Sequence, residues 1–323
     1  MNSQESSNLV HKLGFTLEEK YTKKNKNNFL MATLHFLTNI KFFQNFTKEK
    51  NIGENILFNA FKELFEKINS NNNEKVCSID NFADIIFNKI KDKANYNPKF
   101  LINTLLTEFN LFFSKEFNDA SISNNFFITI QDIKKCKKCK NYIEEKKEEK
   151  KFLIYNIYDI YKNKKEKYNI YDCFESYLKQ KNNEIDLDCK NCKEKTKHEI
   201  KTIFNNLPNN LIIFVDYGQD NTFKFEGEFT FNEELEFNNE YVETKFQNTK
   251  YYLSSIIIAN HIMKKNENYH TFCRGEKDDN YFCYNGEFVH EVVKIDGKMQ
   301  KNNIDLNEKK ERFIYALLYS KYS

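Results

Sequence analysis

The stretch Asp186–Val215, DLDCKNCKEKTKHEIKTIFNNLPNNLIIFV, opens beside Cys189 and Cys192 and closes on the apolar run Leu211 to Val215. The run, part of LIIFVDY, is rich in β-branched residues and reads as a buried strand. The cysteines read as half of a metal site. The other half lies upstream in KKCKKCK, where Cys136 and Cys139 repeat the Cys-x-x-Cys spacing, 49 residues (140 to 188) separating the two pairs. Four soft thiolates, two from each tight knuckle, suit one tetrahedral Zn2+. With four protein ligands and no open position for water, such a site is structural rather than catalytic. Four unrelated thiols and an iron–sulfur cluster are the alternative readings. Cys77, Cys173, Cys273 and Cys283 read as small buried hydrophobes.

Upstream of these pairs the pattern is helical. Leu30, Leu34 and Leu37, then Leu57, Phe61, Leu64, Phe65 and Ile68, recur at helical spacing. Leu101, Leu105, Leu106, Phe109 and Phe112 form a second stripe just after Pro98. Near Asn125 the character changes. FFITIQDI, FLIYNIYDIY, FKFEGEFTF, YYLSSIIIA, YHTFCR, NYFCY and RFIYALLYS all read as strands. A short helix interrupts them at DCFESYLKQ, with Asp172 as its expected cap and Glu175 at the reciprocal position. Helices first and strands later predict an α+β fold with segregated layers.

Composition narrows the class. Of 323 residues, 40% are hydrophobic and 30% charged, a balance that permits one large core or two small ones. Abundant Asn, Lys and Ile beside only 7 Gly and 2 Pro fit an AT-rich coding bias, so runs of Lys and Asn carry little weight alone. The net charge of +3 is too small to imply a nucleic-acid partner by itself. No apolar run reaches the ~18 residues a membrane span requires. The N-terminal MNSQESSNLVHKLGF lacks a secretory pattern. A reducing compartment, cytoplasm or nucleus, is therefore expected, with thiols or metal ligands rather than disulfides.

Around the cysteines the order of elements resembles the ubiquitin-specific proteases (ubiquitin carboxyl-terminal hydrolases). IKKCKKC, a strand, IYDCFESYL and then the opening stretch follow that family's fingers, where a second cysteine pair precedes a basic strand, a Leu-Pro and a strand entering the palm. Leu207, Pro208 and Leu211 to Val215 match that passage. YYLSSIIIA, ENYHTFCR, NYFCYNGEFVHEV and RFIYALLYS are similar to the family's closing strands, so the likeness runs from about Lys12 to Tyr319. It implies a papain-like hand in one domain: a helical thumb over 12–118, zinc-bearing β fingers over 119–250 and a β palm over 251–323.

Active members of that family use a Cys-His-Asp/Asn triad, and this sequence departs from it. NNFLMATLHFL resembles the cysteine box. Setting Leu34 and Leu37 on its two leucines puts His35 at its glutamine, Phe29 at its aromatic and Asn28 at its cysteine. The oxyanion asparagine falls on Lys26. The histidine box lines up with Glu267, Asn268 and Tyr269, placing the catalytic histidine at Asn268. The third member falls on Asn285, followed by Gly286. An acidic block that contacts the ubiquitin tail aligns poorly with NYNPKFLINTLL, where Asn97 and Phe100 stand in for Asp and Glu. His270 sits two residues from the expected base, about 6.5 Å along a strand. No cysteine lies between Met1 and Cys77 for any histidine to activate.

The resemblance with these losses implies a pseudoenzyme: a binding or structural subunit of a large protein or protein–RNA assembly such as a ribosome or spliceosome. A ubiquitin-binding module that does not cleave, and an active deubiquitinase with a displaced site, are the alternatives. The cysteine pairs also carry nine lysines, Lys134, Lys135, Lys137, Lys138 and Lys140 at the first and Lys190, Lys193, Lys195 and Lys197 at the second. Against Asp186, Asp188 and Glu194, and with Tyr142 and His198 nearby, they are candidate RNA contacts. Their bland reading is compensation of a dianionic zinc tetrathiolate.

Overall fold

A computed structural model describes residues 14–18, 28–49, 55–70, 76–90, 97–157, 167–179, 184–217, 228–237, 250–259, 268–274, 281–285, 288–292 and 313–322. In chain order it begins with β1 (Gly14–Thr16), α1 (Asn28–Thr38), α2 (Lys41–Glu49), α3 (Ile56–Ser70), β2 (Val76–Ser78) and α4 (Asp80–Lys89). There follow α5 (Pro98–Phe117), α6 (Ser121–Phe126), β3 (Ile128–Cys136), β4 (Tyr142–Lys150), β5 (Leu153–Asn156), β6 (Lys167–Asn169) and α7 (Ile170–Lys179). Then come β7 (Glu184–Cys189), β8 (Glu194–Asn206), β9 (Asn210–Asp216), β10 (Glu228–Thr230), β11 (Glu234–Glu236) and β12 (Lys250–Ala259). The chain closes with β13 (Tyr269–Arg274), β14 (Tyr281–Asn285), β15 (Phe288–Val292) and β16 (Phe313–Lys321). Helices precede most strands, as the α+β expectation requires. Chain contacts divide the molecule into two compact units, Met1–Ser121 with Ser254–Leu317 and Ile122–Leu253 with Leu318–Ser323.

In the first unit, with no tryptophan in the chain, clustered phenylalanine fills the core. Phe43, Phe46 and Phe58 are buried with Phe61, Phe109 and Phe113, and their rings meet edge to face or tilted, with Phe46–Phe113 centroids 4.6 Å apart and Phe58–Phe109 5.2 Å. Such pairs contribute about 0.5–1.5 kcal/mol each beyond the burial of their area. The helix α5 is bounded by asparagine at both ends. Asn97 caps it by accepting from the Phe100 amide at 2.9 Å, with Pro98 in the first turn, and Asn118 ends it in the left-handed region at φ 50°. The strands β15, β14, β13 and β12 are hydrogen-bonded in that order, antiparallel throughout.

In the second unit β4, β3, β8 and β7 form a four-stranded antiparallel sheet. Here β5 pairs β9 in parallel, and α7 buries Phe174 against Phe204 and Phe237. The Tyr177 hydroxyl fixes that helix to β5, donating to the Ile154 carbonyl at 3.1 Å and accepting from its amide at 2.8 Å. The α7 cap differs from the expectation. Asn169, not Asp172, is the cap: its Oδ1 accepts from the Tyr171 amide at 3.0 Å, while Asp172 Oδ2 accepts from the Asn169 amide at 2.9 Å. This is a capping box one turn earlier, because Ile170 and Tyr171 are helical before Asp172 is reached.

Candidate functional site

Two constellations bring the sequence-predicted site residues together, one in each unit. In the first, Asn28 opens α1 and Asn268 stands just before β13, and three hydrogen bonds join the helix to the strand. Asn28 Nδ2 donates to Asn268 Oδ1 at 3.3 Å, Thr271 Oγ1 to the Ala32 carbonyl at 2.8 Å, and the Cys273 thiol to the His35 carbonyl at 3.6 Å. Residues 28, 32 and 35 recur at i, i+4 and i+7, one stripe of a helix. Thr271 and Cys273 share one face of a strand, and both are buried. Helix and strand are thus zipped side by side, and the two residues that the family resemblance sets at the nucleophile and base positions meet. Both side chains are carboxamides. Neither ionises near neutral pH, and neither attacks a carbonyl or takes a proton from a group that would.

The remaining aligned positions are placed less closely. Asn285 is exposed at the end of β14, opposite Phe288. Lys26, Glu267 and Gly286 lie outside the described residues. His270 stands on β13 opposite Ile258. His35 is fully buried between Phe15, at 4.0 Å, and Tyr284, at 4.3 Å, as a stacked core ring. The oxygen of Asn97 serves the α5 cap and also accepts from the Tyr315 hydroxyl at 3.2 Å. Thr271, whose hydroxyl fastens the zipper, was not singled out in the sequence. A threonine in an alternating strand gives no sign of a partner 239 positions away.

All eight cysteines are described and none is in a disulfide. Burial pushes the Cys273 thiol up to about 12 and Cys173 well above the usual thiol range, so both stay protonated and poorly nucleophilic. Cys283 is half-buried and stands opposite His290 in register.

In the second unit the four predicted cysteines converge. The sulfurs of Cys136, Cys139, Cys189 and Cys192 all lie within 4.8 Å of one another. Cys136 and Cys192 are 3.9 Å apart and Cys139 and Cys189 3.5 Å. A tetrahedron with metal–sulfur bonds of 2.3 Å has edges of about 3.8 Å, so the spacing fits a metal ion and not a disulfide. The two knuckles are built alike. The Lys140 amide donates to the Cys136 carbonyl at 2.9 Å and the Lys193 amide to the Cys189 carbonyl at 2.8 Å. Both lysines take the left-handed conformation, at φ 62° and 56°. The Thr196 hydroxyl, 3.3 Å from the Cys136 sulfur, and nearby backbone amides hold that thiol down at about 5. An amide at Asn141 lowers Cys139, whereas burial pushes Cys192 up to about 12. A divalent cation at the centre favours the thiolate form of all four.

The nine lysines sort into two sets. Lys137 and Lys197 pair with Glu184, Lys138 pairs with Glu194, and Lys135 lies over the Tyr142 ring at 5.2 Å. Lys134 is half-buried on β3. Lys140, Lys190, Lys193 and Lys195 are exposed, and among the described residues no carboxylate pairs with them. Asp188 stands opposite Lys195 in register, without an ion pair. His198 is buried, its Nδ1 3.0 Å from the Thr196 carbonyl.

The family model for ubiquitin carboxyl-terminal hydrolases matches residues 21–319, nearly the whole chain, and the protein belongs to that family. No curated relative matches the chain. Family and fold therefore agree with the resemblance read from the finger sequence. No described helix is long and apolar enough to cross a membrane.

Proposed function

We propose that this chain is a catalytically silent member of the ubiquitin carboxyl-terminal hydrolase family, acting as a binding or structural subunit of a larger protein or protein–RNA assembly in the cytoplasm or nucleus. One observation carries the reading: the hydrogen bond between the Asn28 and Asn268 amides, where a thiolate and an imidazole would be needed within the same reach. The scaffold that aligns the two positions persists, and the side chains that would react are absent. We further assign the ion of the four-cysteine cluster as one structural zinc, since four thiolates near tetrahedral spacing complete its coordination and leave no site for substrate.

The test is a ubiquitin-derived probe carrying an electrophile at its C-terminus, followed by peptide mapping. Wild-type protein is expected to show no adduct. An adduct at Cys283 would overturn the reading in favour of a displaced site, since His290 stands opposite it in register. Measured affinity for ubiquitin without cleavage separates a ubiquitin-holding role from a scaffold that has lost ubiquitin. A tagged pull-down analysed by mass spectrometry then identifies the assembly.

A further inference from the structure

The left-handed lysines of the two knuckles point to a partner. A non-glycine residue in that region gives up roughly 1 kcal/mol relative to glycine, and asparagine tolerates it best among the others. This chain is rich in asparagine and uses Asn118 where α5 needs a left-handed cap. At both knuckles it instead holds lysine, Lys140 and Lys193, exposed and without a carboxylate partner among the described residues. Coding bias does not distinguish these positions, because it enriches asparagine as well. Strain placed twice at equivalent positions argues that the side chains themselves are used.

What surrounds them fits one ligand chemistry. Of the local acids, Glu184 takes Lys137 and Lys197 and Glu194 takes Lys138, while Asp188 stands opposite Lys195 in register without an ion pair. Four cations, Lys140, Lys190, Lys193 and Lys195, are left to face solvent around the metal cluster. Tyr142, two residues beyond Lys140, is 64% exposed, and Lys135 lies over one face of its ring, leaving the other to solvent. Lysines that act as point charges, next to an open aromatic face, are the combination that binds single-stranded nucleic acid through phosphates and base stacking. We propose that this end of the β4-β3-β8-β7 sheet binds single-stranded RNA, with those four lysines on phosphates and Tyr142 under a base. The proposal rests on the reading of the chain as a subunit of an assembly and names one class of partner for it.

The experiment uses the metal-loaded 323-residue chain and a fluorescent 15-nucleotide RNA of mixed sequence, read by anisotropy across a salt series. Four phosphate contacts on a single strand predict a log–log salt slope near −2.8, or roughly a fifty-fold loss between 50 and 200 mM salt. Lys→Gln at positions 140, 190, 193 and 195 together is expected to remove most of that slope. Lys→Gln at 137, 138 and 197 is expected to change it by less than about one contact, −0.7. Tyr142→Ala is expected to weaken binding roughly ten-fold at every salt concentration, the signature of a lost stack rather than a lost charge. Thermal melting and metal content are checked in each variant, and Lys→Arg at the same four positions, which keeps the charge, is expected to retain binding. No binding at 50 mM salt, or equal losses in the two lysine sets, overturns the proposal. So does polyglutamate binding as tightly as RNA with no effect of Tyr142→Ala, which would make the surface an acidic-protein dock. None of these outcomes alters the probe result at Asn28, and a probe adduct would not alter RNA binding.

Discussion

The four-cysteine cluster and the amide pair are both places where distant parts of the chain meet, and they differ in what arrives. At the cluster the backbone frame and the reactive atoms come together: two knuckles of the same form deliver four sulfurs at near-tetrahedral spacing. At the pair the side chains that meet are two carboxamides. The rungs at 28, 32 and 35 hold helix to strand, yet the first rung joins two carboxamides. On the reading proposed above, a fold keeps the geometry of a reaction for structural reasons after the reaction itself is beyond its side chains. The alignment of a helix and a strand is fixed by packing and by interior hydrogen bonds such as Thr271 to Ala32, which do not depend on what stands at the tip.

The largest effect expected is at the cluster. Binding of a structural zinc is worth about 10–16 kcal/mol in small zinc modules, comparable to or larger than the whole stability of a typical domain at about 5–15 kcal/mol. Removal of the ion by a strong chelator, or Cys189→Ser, is expected to unfold the four-stranded sheet, seen as lost β signal in circular dichroism and a large fall in melting temperature. Elemental analysis of the wild type is expected to give one zinc per chain. Less than half an equivalent, or a melting curve indifferent to chelation, would remove the contrast with the amide pair.

Next in size is an attempt to give the empty frame its chemistry. Asn28→Cys with Asn268→His puts a thiol and an imidazole at positions already in hydrogen-bond contact. The double variant is expected to react with the ubiquitin-derived probe 10²–10⁴ times faster than Asn28→Cys alone, the usual contribution of a positioned base. Equal rates for the single and double variants would mean that the two positions do not face each other in the working geometry.

Smaller, and confined to the fold, is the α7 capping box. Asn169→Ala removes the acceptor for the Tyr171 amide and is expected to cost about 1 kcal/mol in chemical denaturation. The same substitution at Glu175, first read as the reciprocal position, is expected to change stability by less than half of that. This pair of residues also marks where the sequence misled. The hydrophobic stripes of α1, α3 and α5, the strand run of β9 and the two cysteine pairs were legible because each is a local pattern with its own period or spacing. The cap was mislocated by one turn because Asn169 and Asp172 are both good caps, and only the point where helical geometry begins decides between them. The strand β4, YIEEKKEEK, was illegible. It is an edge strand, and an edge crowded with charge shows no apolar alternation while resisting further strand pairing. Of the candidate sites, the metal ligands were readable from spacing alone. The meeting of Asn28 with Asn268, across 240 positions, was reached only through the family resemblance, since neither residue has a chemistry that asks for the other.

The smallest expected effect concerns the same two knuckles and tests whether their strain is structural or functional. Lys193→Gly relieves a left-handed φ of 56° at an exposed position with no carboxylate partner among the described residues. Because glycine also enlarges the unfolded ensemble, the net gain is expected to be below 1 kcal/mol, read as a slightly raised denaturation midpoint with unchanged metal content. Lys140→Gly should behave alike, since its knuckle closes with an equivalent amide-to-carbonyl bond. The informative comparison is with Lys193→Asn, which keeps a side chain suited to that conformation but drops the charge. If glycine and asparagine both stabilise, lysine is held there at a cost to the fold, which is the behaviour of a residue with something to bind. If either substitution destabilises, the lysine stem contributes to packing of the knuckle, and its conformation ceases to argue for a ligand.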